Sequence, residues 1–138
     1  MSTSCFNPIF SNFLSSACPN GWTIWNSQCY KLFHEEVSWE AAELKCIQLG
    51  AHLTSILSAA ENEFVSNLIS DTRLIWIGGS DKDKEGTWTW TDSNPWTSTR
   101  WANGQPDKRN TENCLQTQRS FTWHDYPCSN KANFVCKL

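Results

Sequence analysis

The sequence predicts one domain that combines two helices with several short strands. A length of 138 residues suits a single domain. Apolar residues make up 39% and charged residues 18%, a balance that is typical of a folded core and excludes a disordered polyelectrolyte. The nine Trp and seven Cys are far above ordinary usage. They indicate either a cross-linked secreted domain or a cysteine metal site.

The first elements are a hairpin and a helix. Residues 22–25 and 28–33 are rich in aromatic and branched residues and flank an Asn-Ser turn, which predicts two short strands. Ser38 is a suitable N-cap for a helix over residues 39–49. Gly50 follows as its left-handed stop, so the helix should end there.

A second helix begins at Ser58. The run Ser58-Ala59-Ala60-Glu61 has the form of a capping box, in which the hydroxyl and the carboxylate accept hydrogen bonds from free amides at the helix start. An apolar stripe continues behind it to Ile69, and we expect the helix to end near residues 70–71.

The second half of the chain has strand patterns. Residues 74–79 form a continuous apolar run stopped by glycines, which predicts a buried strand. Residues 87–91 alternate polar and aromatic side chains, as a half-exposed strand does. Three more short strands are predicted at residues 113–117, 122–124 and 133–137.

The segment between Asp92 and Thr111 has no periodicity, and long loops of this kind are usually functional. Gln105 and Asp107 lie in it, Glu112 follows it, and Asp125 directly follows the strand predicted at residues 122–124. Carboxylate and amide oxygens suit Ca2+, which takes about six to eight oxygen ligands. The alternative is that these acidic side chains are merely solvated.

The cysteines favour disulfide bonds over zinc. No two lie at the spacing of a zinc knuckle, and no matching histidine pair accompanies them. Six of the seven can form three bridges, and the spacing alone does not choose the pairing. Cys5 stands apart in a leader rich in Ser, Asn and Phe, so we expect it to form an interchain bond. The alternative is a free or cysteinylated thiol.

Charge and hydropathy narrow the possible partners. The formal charge is -3 and no Lys/Arg stripe is present, so nucleic acid is not an expected partner. No stretch reaches the ~18 apolar residues of a membrane span, so membrane insertion is not expected. The opening residues do not have the form of a signal peptide. We therefore expect a mature, secreted, extracellular chain.

Several motifs together resemble the C-type lectin domain family over residues 18–138, after a leader at residues 1–17. In chain order they are Trp76-Ile77-Gly78-Gly79, Gln105-Pro106-Asp107, Glu112-Asn113-Cys114, Trp123-His124-Asp125 and Phe134-Val135-Cys136. The resemblance implies an α+β domain with two helices, two small antiparallel sheets and a long loop that binds calcium and sugar. It also implies a pattern of disulfide bonds, Cys18 to Cys29, Cys46 to Cys136 and Cys114 to Cys128, which leaves Cys5 spare.

The resemblance further implies a calcium site on both sides of a cis-proline, with Gln105 and Asp107 as ligands and Glu112 and Asp125 as two more. In this family two vicinal sugar hydroxyls coordinate the ion and hydrogen-bond to its ligands. Gln-Pro-Asp accompanies galactose-type sugars, whereas Glu-Pro-Asn accompanies mannose-type sugars. Exchanging the amide and the carboxylate reverses the donors and acceptors that face the sugar. The resemblance thus implies galactose or N-acetylgalactosamine.

Three departures from the family pattern are visible. His124 stands where the family has an Asn ligand, and imidazole suits calcium poorly, so we expect His124 to hydrogen-bond to a neighbour or to the sugar. The aromatic residue that often stacks on galactose is missing after the motif. Trp96, Phe121 and Tyr126 are substitutes, while Trp101 is expected in the core.

An auxiliary calcium site would need Asp81, Glu85 and Glu112. Lys108 occupies its remaining position. We therefore expect that second site to be absent.

Four functions compete at this point. The leading one is a secreted, calcium-dependent lectin for galactose-type glycans on cell or microbial surfaces, acting in innate immune recognition or agglutination as a disulfide-linked dimer. The second is a calcium-independent relative that binds N-acetylhexosamines or a protein surface. Ice binding is a third possibility on this fold. An enzyme is not expected, since no nucleophile motif is present and the thiols should be oxidised.

Overall fold

The computed structural model describes residues 17–107 and 113–138. This part of the chain contains two helices and eight strands. In chain order they are β1 Thr23–Trp25, β2 Gln28–Val37, α1 Trp39–Gln48, β3 His52–Leu53, α2 Ala59–Asn67, β4 Ile75–Ser80, β5 Thr89–Trp90, β6 Asn113–Thr117, β7 Trp123–Pro127 and β8 Ala132–Lys137. The leader, apart from residue 17, lies outside the described residues, and so does Cys5.

The strands form two antiparallel groups joined in the middle. The path runs β1-β2-β8-β4-β6-β7, with β3 added to β8 and β5 added to β4. All neighbours are antiparallel except β4 and β8, which run parallel where Trp76 pairs with Phe134. The α+β fold is therefore confirmed, and its two predicted small sheets are connected through this short parallel contact.

Local signals set both helix starts and the end of α1. The Ser38 hydroxyl accepts a hydrogen bond from the Ala41 amide at 3.2 Å, and Gly50 has a φ of 78° just after α1. The Ser58 hydroxyl accepts from the Glu61 amide at 3.0 Å. The Glu61 carboxylate, however, accepts from the Leu57 amide at 2.8 Å instead of from Ser58 as a capping box would.

Glu61 departs from the capping box because its other oxygen belongs to a buried polar cluster. Lys137 Nζ lies 2.7 Å from Glu61 Oε2, and both side chains are 4% exposed. The Tyr30 hydroxyl donates to the same oxygen at 2.6 Å. Burial first, and this hydrogen bond next, raise the pKa of Tyr30. The cluster ties α2 to β2 and to the last residues of β8.

Several boundaries differ from the sequence expectations. Strand β2 runs to Val37 and not only to residue 33, and α2 ends at Asn67 and not near residues 70–71. Strand β5 is shorter than predicted, because the Thr87 amide turns back to the Lys84 carbonyl at 2.9 Å. Strand β7 extends beyond residue 124 and reaches Pro127. Strand β3, which has only two residues, was not predicted, because so short a run carries no periodicity.

Three disulfide bonds join described residues in the pairing that the resemblance implies. They are Cys18–Cys29, Cys46–Cys136 and Cys114–Cys128. The second connects α1 to β8 across a sequence separation of 90 residues. In the chain-entropy model a loop of that length destabilises the unfolded chain by about 4–5 kcal/mol. Neither described helix is long and apolar enough to cross a membrane.

Replacing Glu61 tests the buried polar cluster. We expect Glu61→Gln to lower the free energy of unfolding by about 3–5 kcal/mol, because it leaves the Lys137 ammonium buried without its counter-charge. Urea denaturation measures the change. Glu63→Gln is the matched control, since Glu63 is exposed on the same helix. Equal stability of the two variants would contradict this role of Glu61.

Candidate functional site

Backbone pairing places the end of the long loop beside β7. Trp101 forms an isolated parallel bridge with Trp123. The Trp123 amide donates to the Arg100 carbonyl at 2.7 Å, and the Ala102 amide donates to the Trp123 carbonyl at 2.9 Å. The Gln105 amide then turns back to the Ala102 carbonyl at 2.9 Å. Residues 105–107 therefore lie next to the residues that follow Trp123.

This placement brings together three of the residues predicted as calcium ligands. The Gln105–Pro106 peptide bond is cis. The Asp107 amide donates to both carboxylate oxygens of Asp125, at 3.0 and 3.1 Å. Gln105 Oε1 lies 3.5 Å from the Asp125 amide. Asp125 is buried, whereas Asp107 is exposed and Gln105 is half-buried, so the cluster reaches the surface on one side.

The cluster of Gln105, Asp107 and Asp125 is rich in oxygen, which suits a hard cation. Glu112, the fourth predicted ligand, lies outside the described residues. Among residues 17–107 and 113–138, no three His, Cys, Asp or Glu side chains are grouped closely enough to hold a metal ion by themselves. A calcium ion here would need further oxygen atoms from Glu112, water or a ligand.

Asn62 of helix α2 fixes the segment that leads to Asp125. Trp123 is fully buried, and its indole Nε1 donates to Asn62 Oδ1 at 2.9 Å. The Asn62 amide nitrogen donates to the Phe121 carbonyl at 2.8 Å. One buried side chain therefore fixes both the start of β7 and the turn before it. Sequence reasoning missed Asn62, and no local pattern marks it, because its partners lie 59 and 61 residues away.

His124 makes a hydrogen bond within the hairpin of β6 and β7. Its Nε2 lies 2.8 Å from the amide nitrogen of Gln118. An amide nitrogen only donates, so this ring nitrogen must accept and the imidazole is neutral. Burial lowers the pKa of His124, an effect that the Asp125 carboxylate opposes in part. The expected bond to a neighbouring side chain is therefore present.

Trp96 lies in a tryptophan cluster that also contains Trp88, Trp90, Trp101 and Trp123. Its ring centroid is 4.5 Å from that of Trp90 and 5.7 Å from that of Trp123. No hydrogen bond or ring contact among the described residues joins Trp96 to Gln105 or Asp107. Trp101 packs against the core as predicted.

The two other aromatic candidates for stacking on a sugar lie on the surface. Phe121 is 39% exposed and Tyr126 is 36% exposed. Both therefore remain accessible to a ligand.

Of the residues that an auxiliary calcium site would need, Asp81 binds backbone amides. Asp81 is buried, and its two oxygens accept from the amides of Asn113 at 3.2 Å and Gly86 at 3.0 Å. Loss of water contact and the neighbouring Asp81 carboxylate raise the pKa of Glu85. Lys108 and Glu112 lie outside the described residues. The expected absence of an auxiliary calcium ion stays a prediction.

Known proteins resemble this chain in sequence and in structure. The family model of the lectin C-type domain matches residues 35–138. The galactose-specific lectin nattectin of Thalassophryne nattereri is 37% identical over 128 residues, which cover 88% of this chain and 80% of nattectin. The structure of human lithostathine superposes with a TM-score of 0.83 at 32% identity, covering 90% of this chain and 92% of lithostathine.

A structure of a calcium-independent type II antifreeze protein superposes almost as well. Its TM-score is 0.82 at 29% identity, and the match covers 88% of this chain and 94% of that one. The fold therefore occurs in proteins with different ligands. Members of the lectin family are non-enzymatic carbohydrate-binding proteins, and the expectation that this protein is not an enzyme is confirmed on that ground. With its match over residues 35–138 and its disulfide pairing, the chain belongs to the C-type lectin domain family.

Proposed function

We propose that this protein is a secreted, extracellular, calcium-dependent lectin for galactose and N-acetylgalactosamine. Its carbohydrate-recognition domain would span residues 18–138, and its calcium ligands would be Gln105, Asp107, Glu112 and Asp125. One observation carries the proposal. Gln105 and Asp107 flank the cis-proline Pro106. The Asp107 amide donates to the buried Asp125 carboxylate, and Gln105 Oε1 lies near the Asp125 amide.

Charge and geometry support a calcium ion at this position. C-type lectin domains typically bind Ca2+. Asp107 and Asp125 supply carboxylates and Gln105 supplies an amide oxygen, all of which are hard ligands. Glu112 stands two residues before Cys114, and we assign it as the third carboxylate.

The order of amide and carboxylate supports a galactose-type sugar. With Gln at 105 and Asp at 107, the NH2 donors lie on one side of the ion and the charged acceptors on the other. A sugar whose two hydroxyls bind the ion must match that order. The relative nattectin, 37% identical, is named as galactose-specific, in agreement with this assignment.

His124 and Trp96 have secondary roles in the proposal. His124 holds Gln118 through Nε2, which leaves the Nδ1 hydrogen free to donate to a sugar hydroxyl. Trp96 remains a candidate for contact with the sugar, as do the exposed rings of Phe121 and Tyr126.

A single shallow site binds a monosaccharide weakly, so function requires more than one site. We assign Cys5 to an interchain disulfide bond that pairs two domains. Such a dimer would cross-link galactose-bearing glycans on cell or microbial surfaces, which suits agglutination and innate immune recognition.

A second candidate is a calcium-independent protein that binds N-acetylhexosamines or a protein surface. The observation that favours it is His124, whose ring nitrogen bonds to Gln118 at the position where the family places a calcium ligand. The similarity to a calcium-independent antifreeze protein shows that the fold exists without the ion. Binding of an N-acetylhexosamine in EDTA that is lost in Gln105→Ala with Asp107→Ala would favour this candidate.

Exchanging the amide and the carboxylate tests the proposed sugar site. We expect Gln105→Glu with Asp107→Asn to weaken galactose binding about tenfold and to strengthen mannose binding, because two hydrogen bonds to the sugar are reversed. Retention on galactose-agarose and mannose-agarose with calcium measures both effects. The matched control is Gln48→Glu with Glu63→Gln, the same exchange at two exposed helix positions. Wild-type protein that passes through galactose-agarose in calcium would contradict the proposal.

Restoring the family's amide ligand tests the calcium site separately. We expect His124→Asn to increase calcium affinity by about tenfold, because an amide oxygen is a better calcium ligand than imidazole. Substitutions next to a metal site typically change metal affinity by about 10–100-fold. Isothermal titration with CaCl2 measures it. His52→Asn is the control, since His52 bonds to Glu43 on α1, away from the proposed site. Unchanged or weaker calcium binding in His124→Asn would show that residue 124 does not face the ion.

Cys5→Ser tests the dimer. We expect the wild-type protein to migrate as a dimer on a non-reducing gel and the variant to migrate as a monomer, with equal monosaccharide affinity and lost agglutination. Ser4→Ala is the control for a change in the leader. A wild-type chain that is monomeric without reductant would overturn the assignment of Cys5.

A further inference from the structure

We propose that the protein has a second saccharide subsite that does not depend on calcium. It lies in a cavity lined by the start of α1, the end of β4, strand β5 and the first part of the long loop. The cavity has a volume of about 630 Å³. Small-molecule sites in proteins measure roughly 300–1,000 Å³, so a disaccharide would fit. Gln105, Asp107 and Asp125 are not among its lining residues.

Three tryptophans give this cavity an aromatic wall. Trp39, Trp90 and Trp96 line it. The first two are almost entirely buried, while Trp96 is half-buried and therefore offers part of its ring. The C–H faces of pyranose rings pack on indole surfaces of this kind. The wall therefore favours a sugar over a ligand that is polar on every side.

Hydroxyl groups line the same cavity and have hydrogen-bonding capacity to spare. Ser80, Thr89 and Ser93 line it, and their hydroxyls make no side-chain hydrogen bond with any other described residue. The buried indole Nε1 of Trp90 also has no partner in the described part of the chain. Unused donors and acceptors beside apolar rings are the combination that recognises a carbohydrate.

The far end of the cavity is held rigid by hydrogen bonds. The Asn94 amide groups donate to Asp92 at 3.0 Å from both the backbone and the side chain, and the Ser55 hydroxyl donates to Asp92 at 2.5 Å. The Thr91 hydroxyl donates to Glu43 of α1 at 2.6 Å. A ligand would therefore meet a wall that is already ordered, which reduces the entropy cost of binding.

The charges of the cavity favour a neutral ligand. Lys82 pairs with Glu40 and lies over the Trp39 ring, 5.2 Å from its centroid, so its charge is already engaged. Asp83 has no ion pair among the described residues and would repel an anion. A neutral disaccharide therefore suits the cavity better than a sulfated or phosphorylated sugar.

The experiment uses the full chain in EDTA, with lactose, chitobiose and maltose as test ligands. Shifts of the indole N–H signals of Trp90 and Trp96 in NMR spectra report binding in this cavity. We expect at least one disaccharide to shift these signals. Ser80→Ala with Thr89→Val should weaken that binding about tenfold, because two hydroxyl hydrogen bonds are lost. Thr87→Val is the matched control, since Thr87 is exposed nearby and does not line the cavity.

The outcomes separate this subsite from the proposed calcium site. Gln105→Ala with Asp107→Ala should abolish retention on galactose-agarose and leave the shifts in EDTA unchanged. If none of the three disaccharides shifts Trp90 or Trp96 in EDTA, the proposed subsite does not exist. Equal affinity of Ser80→Ala/Thr89→Val and Thr87→Val would also overturn it. Neither result bears on galactose binding with calcium.

Discussion

The position of the candidate site depends on two backbone hydrogen bonds on either side of Trp123. The loop between β5 and β6 has neither helix nor strand in its described part, so it cannot fix itself. The bonds from Trp123 to Arg100 and from Ala102 to Trp123 join it to an ordered strand. Asp125 is two residues further along that strand, and the turn from Gln105 back to Ala102 brings the Asp107 amide to its carboxylate. Asp107 and Asp125 meet for this reason.

Side-chain packing around Trp123 makes that attachment rigid. Trp90, Trp96 and Trp101 each lie within 6 Å of the Trp123 ring, with centroid distances of 5.6, 5.7 and 5.9 Å. An aromatic pair contributes about 0.5–1.5 kcal/mol beyond burial of its area. Asn62 then fixes the indole of Trp123 from α2. The tryptophans therefore hold the polar loop in place as well as filling the core.

The sequence predicted most of the fold because the decisive signals are local. Ser38, Gly50 and Ser58 mark helix ends by groups that act within one turn, and the structure has them in those roles. The ion pair between Glu61 and Lys137 could not be predicted from local signals, since the two residues are 76 positions apart. Strand β3 forms by pairing with β8, a contact between residues that are distant in the sequence.

The candidate site was predicted less completely. Family motifs indicated Gln105, Asp107 and Asp125, and the structure brings these three together. They gave no indication of Asn62, which supports the site through contacts distant in sequence. Trp96 was expected beside the sugar, whereas its described ring contacts are with other tryptophans. Composition can identify an aromatic residue in a loop, but only the folded chain decides which rings it packs against.

The most direct measurement of the central claim is a crystal structure of the protein grown with CaCl2 and N-acetylgalactosamine. We expect one calcium ion bound by oxygen atoms of Gln105, Asp107, Glu112 and Asp125, with two hydroxyls of the sugar completing its coordination. Density for the sugar elsewhere, with no metal between Asp107 and Asp125, would contradict the account.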